Sequence, residues 1–139
     1  MIGGILMFNT KVTLFNEFKK GSVSVFLPTM FENAEIQETQ GRNISKTGLQ
    51  DANKAMLYIM ENSLPSLYLK PKEWQKQSQE EAMKTFTLKA KGNDFFVCGE
   101  YVEIIQNKEK FCRENNGVYT VSTVDIYKEL LPHFEIGGM

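Results

Sequence analysis

A chain of 139 residues, 42% hydrophobic, 12% aromatic and 24% charged, has the size and composition of one ordinary globular domain and argues against general disorder. Its 16 basic and 17 acidic residues leave a formal net charge of −1, so no global field draws a polyanion or an anionic membrane to it. Neither nucleic acid nor a membrane is therefore an expected partner.

The first apolar run, "IGGILMF", is far shorter than the roughly 20 residues a membrane helix needs, and no basic region precedes it as in a secretory signal. Residues before Met7 read as a start-site extension. The chain is expected to divide into a flexible leader, residues 1–10, and a single β-rich domain, residues 11–139.

"KVTLFNEF" sets Val12 and Leu14 against Lys11 and Thr13, the period-two pattern of a half-buried strand. "SVSVFL" repeats the alternation up to Pro28. "MFENAEIQET" then places Met30, Ala34 and Ile36 on one side, so a long antiparallel strand with a break at Pro28 is expected. Residues 37–53 are polar, with Gly41 and Gly48 as punctuation, and read as an exposed loop. "KAMLYIM" is the next strand, and "ENSLPSLYL" is a connection in which Pro65 opposes regular pairing.

Pro71, with Glu73 behind it, opens a polar helix expected to run to about Glu81 and to be fastened mainly by Trp74. "TFTL" and "FFVC" read as strands joined by a hairpin turn at Gly92, Asn93 and Asp94, with Cys98 a small apolar filler inside the second. Ile104, Ile105, Lys108, Phe111 and Cys112 recur at helical intervals before the stop at Asn115, Asn116 and Gly117. "VYTVSTVDIY" returns to alternation, and "LLPHFEIGGM" reads as a last edge strand interrupted by Pro132. The fold class is thus α+β, mainly β: a small antiparallel barrel or sandwich with two short helices and a long polar loop.

Few residues carry chemistry. Cys98 and Cys112 are too far apart for a CxxC motif and, with the single histidine, cannot build a zinc site; two free thiols are favoured over a bridge. A cysteine hydrolase would need one of them with His133 as base, yet neither cysteine has a setting that lowers its pKa. The carboxylate pairs Glu80 with Glu81 and Glu100 with Glu103 read as solvated, as do the lysine clusters Lys19 and Lys20, Lys70 and Lys72, Lys89 and Lys91, Lys108 and Lys110. No phosphate loop is present, so no catalytic residue, metal or cofactor is expected. Trp74 either packs its helix onto its own domain, the favoured reading, or inserts into a neighbouring subunit. The aromatic residues Phe26, Phe31, Tyr58, Phe86, Phe95, Phe96 and Tyr119 fall on expected strands and read mostly as core.

The blocks "KVTLFN", "LYIM", "YLKPKEW", "FTLKAKGNDFFVCGE", "YTVSTVD" and "PHFEIGG", in that order, resemble a family of small tailed-phage and prophage proteins encoded among minor capsid and head–tail joining genes. The most specific stretches are Pro71 to Trp74, the turn with Gly92, Asp94 and Gly99, and His133 followed by Gly137 and Gly138. Asn93 and Phe86 depart from the pattern. The resemblance implies a structural, non-enzymatic role in the neck, with portal or connector, tail proteins and copies of itself as partners and no small-molecule substrate. It also implies a life in the bacterial host cytoplasm during assembly and then in the virion. The residues expected to meet those partners are Gln37, Gly41, Arg42, Lys46, Gly48 and Asn53 of the polar loop, together with Trp74. Two further readings stay open: a small β-barrel module that binds a peptide or small ligand among strand aromatics, and the cysteine enzyme.

Overall fold

The computed structural model describes residues 8–38 and 54–139. Six strands close into a barrel in the order β1-β2-β3-β8-β7-β6: β1 (Thr10–Lys20), β2 (Val23–Glu38), β3 (Ala55–Met60), β6 (Phe95–Cys98), β7 (Val118–Tyr127) and β8 (His133–Gly138). All six pairings are antiparallel. The chain is thus mainly β, built from two three-stranded meanders joined along β3–β8 and β1–β6.

Closure changes the reading of the chain's last strand. β8 is no edge: it pairs with β3 on one side and β7 on the other, so its backbone ladder is saturated and has no free edge to offer a partner. β2 runs unbroken through Pro28. Phe26 exchanges both backbone hydrogen bonds with Ile105, on the side away from β1, so Pro28, two residues on, also turns its nitrogen away from β1. β3 starts pairing only at Ala34, so the missing N–H costs no ladder bond.

Bulges account for the faces that simple alternation misplaces. Thr10 pairs with Ala34 but Val12 with Phe31, an extra residue on β2 that puts both Phe31 and Ala34 in the core in place of the expected Met30. A second irregularity between Val121 and Thr123 lets Tyr119, Val121 and Val124 pack on the same core.

β1 is buried on both faces, because the segment after β6 folds back over its outer side. Tyr101, Ile105 and Phe111 of α3 (Lys108–Glu114) cover Phe15, Phe26 and Phe95, with Phe15 stacked on Phe95 at 4.8 Å. α3 begins later than its apolar spacing suggested, since Ile105 is held in a β-bridge and Asn107 caps the helix through Lys110 N–H. Lys108 is not a solvated charge. Its ammonium donates to Asn93 O and Thr120 Oγ1 and lies 5.2 Å from the Phe95 ring centroid, and desolvation lowers its pKa.

The stretch between β3 and β6 covers the barrel near the β1–β2 hairpin. Glu61–Ser63 forms a 3₁₀ turn, and β4 (Leu67–Tyr68) pairs in parallel with β5 (Thr85–Phe86). "ENSLPSLYL" therefore supports as well as connects, and "TFTL" is not hairpinned to β6. Tyr68, Phe86 and Leu88 join the main core. The expected single helix is two, α1 (Pro71–Gln75) and α2 (Gln79–Ala82), because Ser78 starts a new helix by accepting from Glu81 N–H.

Candidate functional site

A large cavity lies where α1 leans against β1. It has a volume of about 900 Å³, within the range of known ligand pockets, and is lined by Glu17, the stretch from Lys70 to Lys76 apart from Trp74, and Thr87, Lys89 and Asp94. Pro71 starts α1 at a position where its absent N–H is free of cost, and Trp74 then anchors the helix. The Trp74 ring is fully buried against Phe18, Leu27 and Ala82, and its Nε1–H donates to Ala82 O at 3.2 Å. Gln75 completes the attachment: its Nε2 donates to Glu17 O at 2.6 Å and its Oε1 accepts from Lys19 N at 3.2 Å, so one side chain pairs with β1 as a strand would.

Asp94 belongs to a buried polar network beside the cleft. Its Oδ1 accepts from Glu17 N at 2.9 Å, and its Oδ2 accepts from Asn16 Nδ2 at 2.8 Å and Lys89 N at 3.2 Å. Asn16 also donates to Thr87 O and accepts from Thr87 N. Burial pushes Asp94 up to about 6; the Glu17, Asn16 and Lys89 donors pull it down, and the Glu17 charge adds a smaller upward push. Thr87 is only 3% exposed, and its hydroxyl is buried without a hydrogen-bond partner. Among the described residues, no ion pair holds the side chains of Lys70, Lys72, Lys76 or Lys89. The cleft therefore has exposed ammoniums on long aliphatic stems around a buried polar floor, with Glu73 exposed and Glu17 half-buried as its acids.

A second surface feature is apolar. The β7–β8 hairpin exposes Ile126, Tyr127, Leu130 and Leu131, with Leu67 of β4 also exposed. Leu130 is 98% exposed and has φ 63, a left-handed conformation that costs a leucine roughly 1–2 kcal/mol. A recess of about 210 Å³ lies beside the hairpin, lined in part by Leu67, Tyr68, Tyr127 and Phe134.

The residues expected at a partner surface fare unevenly. Gln37 is exposed near the end of β2, whereas Gly41, Arg42, Lys46, Gly48 and Asn53 lie outside the described residues. Trp74 packs its helix onto its own domain, as its favoured reading has it, and being fully buried it is withdrawn from the residues expected to meet partners. Cys98 is corrected. It is exposed at the end of β6, on the face it shares with Phe96, and desolvation of the thiol together with the Glu38 charge raises its pKa. Cys112 is exposed on α3. His133 is occupied elsewhere, one ring nitrogen on Leu131 O and the other on Glu135 Oε2. No three His, Cys, Asp or Glu side chains among the described residues gather as metal ligands.

Sequence pattern alone missed the cleft, because Asp94 reads as a turn residue and Thr87 as a strand residue. The buried network joins positions more than 70 apart, for which local periodicity has no signal. The model of a family of unknown function, DUF6751, matches residues 7–139. The chain belongs to this family. For this DUF6751 chain no curated protein and no solved structure gives a match.

Proposed function

We propose that this DUF6751 chain is a structural component of a tailed-phage or prophage particle, a head–tail joining or minor capsid protein that acts by assembling with its own copies and with portal and tail proteins. The observation that carries the reading is the exposed hairpin: four large apolar side chains are exposed between Ile126 and Leu131, with Leu130 held in a conformation that costs energy. Such a surface on a chain with no free barrel edge favours side-chain docking over strand addition. The resemblance to neck-gene products supports the same role. Light scattering of the purified chain, alone and mixed with the portal and tail-tube proteins of its own genome, tests it. A discrete multi-copy complex is the expected result; a persistent monomer in every mixture overturns the reading.

The cleft favours a second reading, a module that binds a peptide or small ligand. Its size and the unpartnered Thr87 hydroxyl on its lining support that use. A ligand that perturbs Thr87 and Lys89 amide resonances at micromolar concentration would move the assignment to it.

A further inference from the structure

We infer that the chain pairs with a second copy across a two-fold axis at the β7–β8 hairpin, each copy seating its hairpin leucines in the recess beside the other's hairpin. The inference goes beyond the assembly reading above: it names a contact between copies that the free chain makes without portal or tail proteins. Of the nine large apolar residues exposed among the described residues, five stand together here: Leu67, Ile126, Tyr127, Leu130 and Leu131. The others are scattered along the chain and form no such surface.

The patch carries both a projection and a socket. Leu130 and Leu131 stand out at the tip, 98% and 68% exposed, so Leu130 does not fill the recess of its own chain. That recess, about 210 Å³, opens at the base of the same hairpin, between Ile126, Tyr127 and Lys128 on one wall and Leu67 of β4 on the other. Its walls are held within one chain: Tyr127 stacks on His133 at 4.9 Å, and the Tyr68 ring meets Phe134 edge-on at 5.4 Å. A cavity of roughly 150 Å³ already holds a benzene ring, so this one has room for a leucine side chain. A projection and its socket on one patch satisfy each other twice across a two-fold axis, and the contact closes at two copies.

Area and charge favour the same occupant. At roughly 200 Å² for a fully exposed large side chain, the five leave roughly 600 Å² open on each copy, so the pair covers up to roughly 1,200 Å², above the roughly 1,000 Å² an interface needs. Lys128 and Glu129 are exposed neighbours without an ion pair among the described residues. A base beside an acid at the tip is self-complementary: the axis sets Lys128 of each copy against Glu129 of the other. Glu61, the other charged residue on the recess, balances Lys128 at the rim, so an apolar guest meets no net charge there.

Sedimentation velocity reads the contact directly. The wild type passes from monomer to dimer with rising concentration and grows no further. A tip variant, Leu130→Asp with Leu131→Asp, and a socket variant, Leu67→Asp, each weaken the dimer by at least about tenfold, the factor that burying one leucine is worth. Both change exposed side chains, and circular dichroism checks that each is folded. Reciprocity has its own readout, which leaves every apolar residue in place: Lys128→Glu and Glu129→Lys each weaken the dimer, and the two substitutions on one chain restore it.

A wild type that stays monomeric at millimolar concentration overturns the inference, as does a dimer that survives the tip substitutions. Growth past the dimer, or a charge swap no better than its single substitutions, overturns the two-fold pairing. Failure of the phage reading looks different: a chain that dimerises through this hairpin yet makes no complex with portal or tail proteins defeats that reading alone. A monomeric chain that still enters such a complex defeats the inference alone.

Discussion

Asn16 and Asp94, 78 positions apart, meet in the buried network beside the cleft, Asn16 Nδ2 donating to Asp94 Oδ2 at 2.8 Å. The contact joins β1 to the residue that opens β6, and through Asn16 it reaches both backbone groups of Thr87. Replacing Asp94 by Ala strips the acceptor from Glu17 N–H and Lys89 N–H as well as from Asn16. Of these donors the Asn16 amide is buried and the two N–H groups are part-buried; a buried donor left unsatisfied costs about 1–3 kcal/mol, so Asp94→Ala should lower urea stability by about that much. A loss below about 1 kcal/mol would show that water replaces the carboxylate.

The same carboxyl sets a pH dependence with an unusual sign. Its folded pKa of about 6 lies above the ordinary 3.8, so between those values the folded state holds the proton more tightly than the unfolded chain. The contribution is fully present below the unfolded value, falls as pH rises through about 4 to 6, and levels off above. Roughly 3 kcal/mol is its ceiling at 1.36 kcal/mol per unit. Urea midpoints at pH 4.5 and 7.5 should therefore show a downward slope that Asp94→Asn reduces; an equal slope in both proteins defeats the assignment to Asp94.

His133 should titrate above the usual histidine value. Partial desolvation lowers its pKa, but the Leu131 carbonyl and the Glu135 carboxylate outweigh it. Both ring nitrogens face acceptors, so the geometry asks for a proton on each. The stabilisation is complete below the unfolded pKa near 6.5 and is lost as pH rises through the higher folded one. As the chain's sole histidine, His133 gives a clean imidazole proton resonance. A midpoint at or below 6.5, or one unmoved by Glu135→Gln, would contradict this account.

Gly138 is a steric requirement of closing the barrel. A Cβ there would lie 2.6 Å from Tyr119 Cβ and 2.7 Å from Phe96 Cζ, both on strands that flank or face β8. Tyr119 is further held by a hydrogen bond from its hydroxyl to Glu38, and its pKa is pushed up to about 12 by desolvation and that bond. The Tyr119 Cβ is part of a β7 strand that cannot swing aside. Gly138→Ala should cost about 1–3 kcal/mol in thermal or urea unfolding, whereas Gly21→Ala meets no atom and strains only a positive φ. Equal costs at the two sites would rule out crowding as the cause.

Much of this barrel was legible in the sequence, and the failures have physical causes. Val12 and Leu14 announce β1, "KAMLYIM" announces β3, and Phe95 to Cys98 announce β6, because period two reports a face that must be buried. Alternation assumes one residue opposite one residue, so the bulge beside Phe31 and the irregularity near Ser122 shift faces that periodicity had assigned. Ile104 and Ile105 have helical spacing, yet Phe26 needed a backbone partner and took Ile105 for it, a tertiary demand that overrides local pattern. Closure was left open between barrel and sandwich, because nothing local in "HFEIGG" says that β8 has a neighbour on both sides. The cleft was unreadable for the same reason, since its walls, α1 and Asp94, are brought together only by long-range pairing.

Trp74 connects that cleft to the core, which makes it a measurable test of how firmly α1 is held. Its ring meets Phe18 edge-on at 5.4 Å, and Gln75 beside it bonds to β1, so the helix is fixed by one apolar and one polar contact. As the chain's only tryptophan it should emit from a dry site and resist iodide quenching until the protein unfolds. Trp74→Phe keeps the apolar anchor but leaves the Ala82 carbonyl without its indole donor, a cost of about 1–3 kcal/mol; Trp74→Ala adds a cavity and should cost about 3–5 kcal/mol. If α1 is held chiefly by the indole, amide exchange across residues 71–82 accelerates in Trp74→Ala well beyond the global loss of stability. If exchange there rises only in step with global unfolding, Gln75 is holding the helix by itself, and Gln75→Ala becomes the substitution that opens the cleft wall.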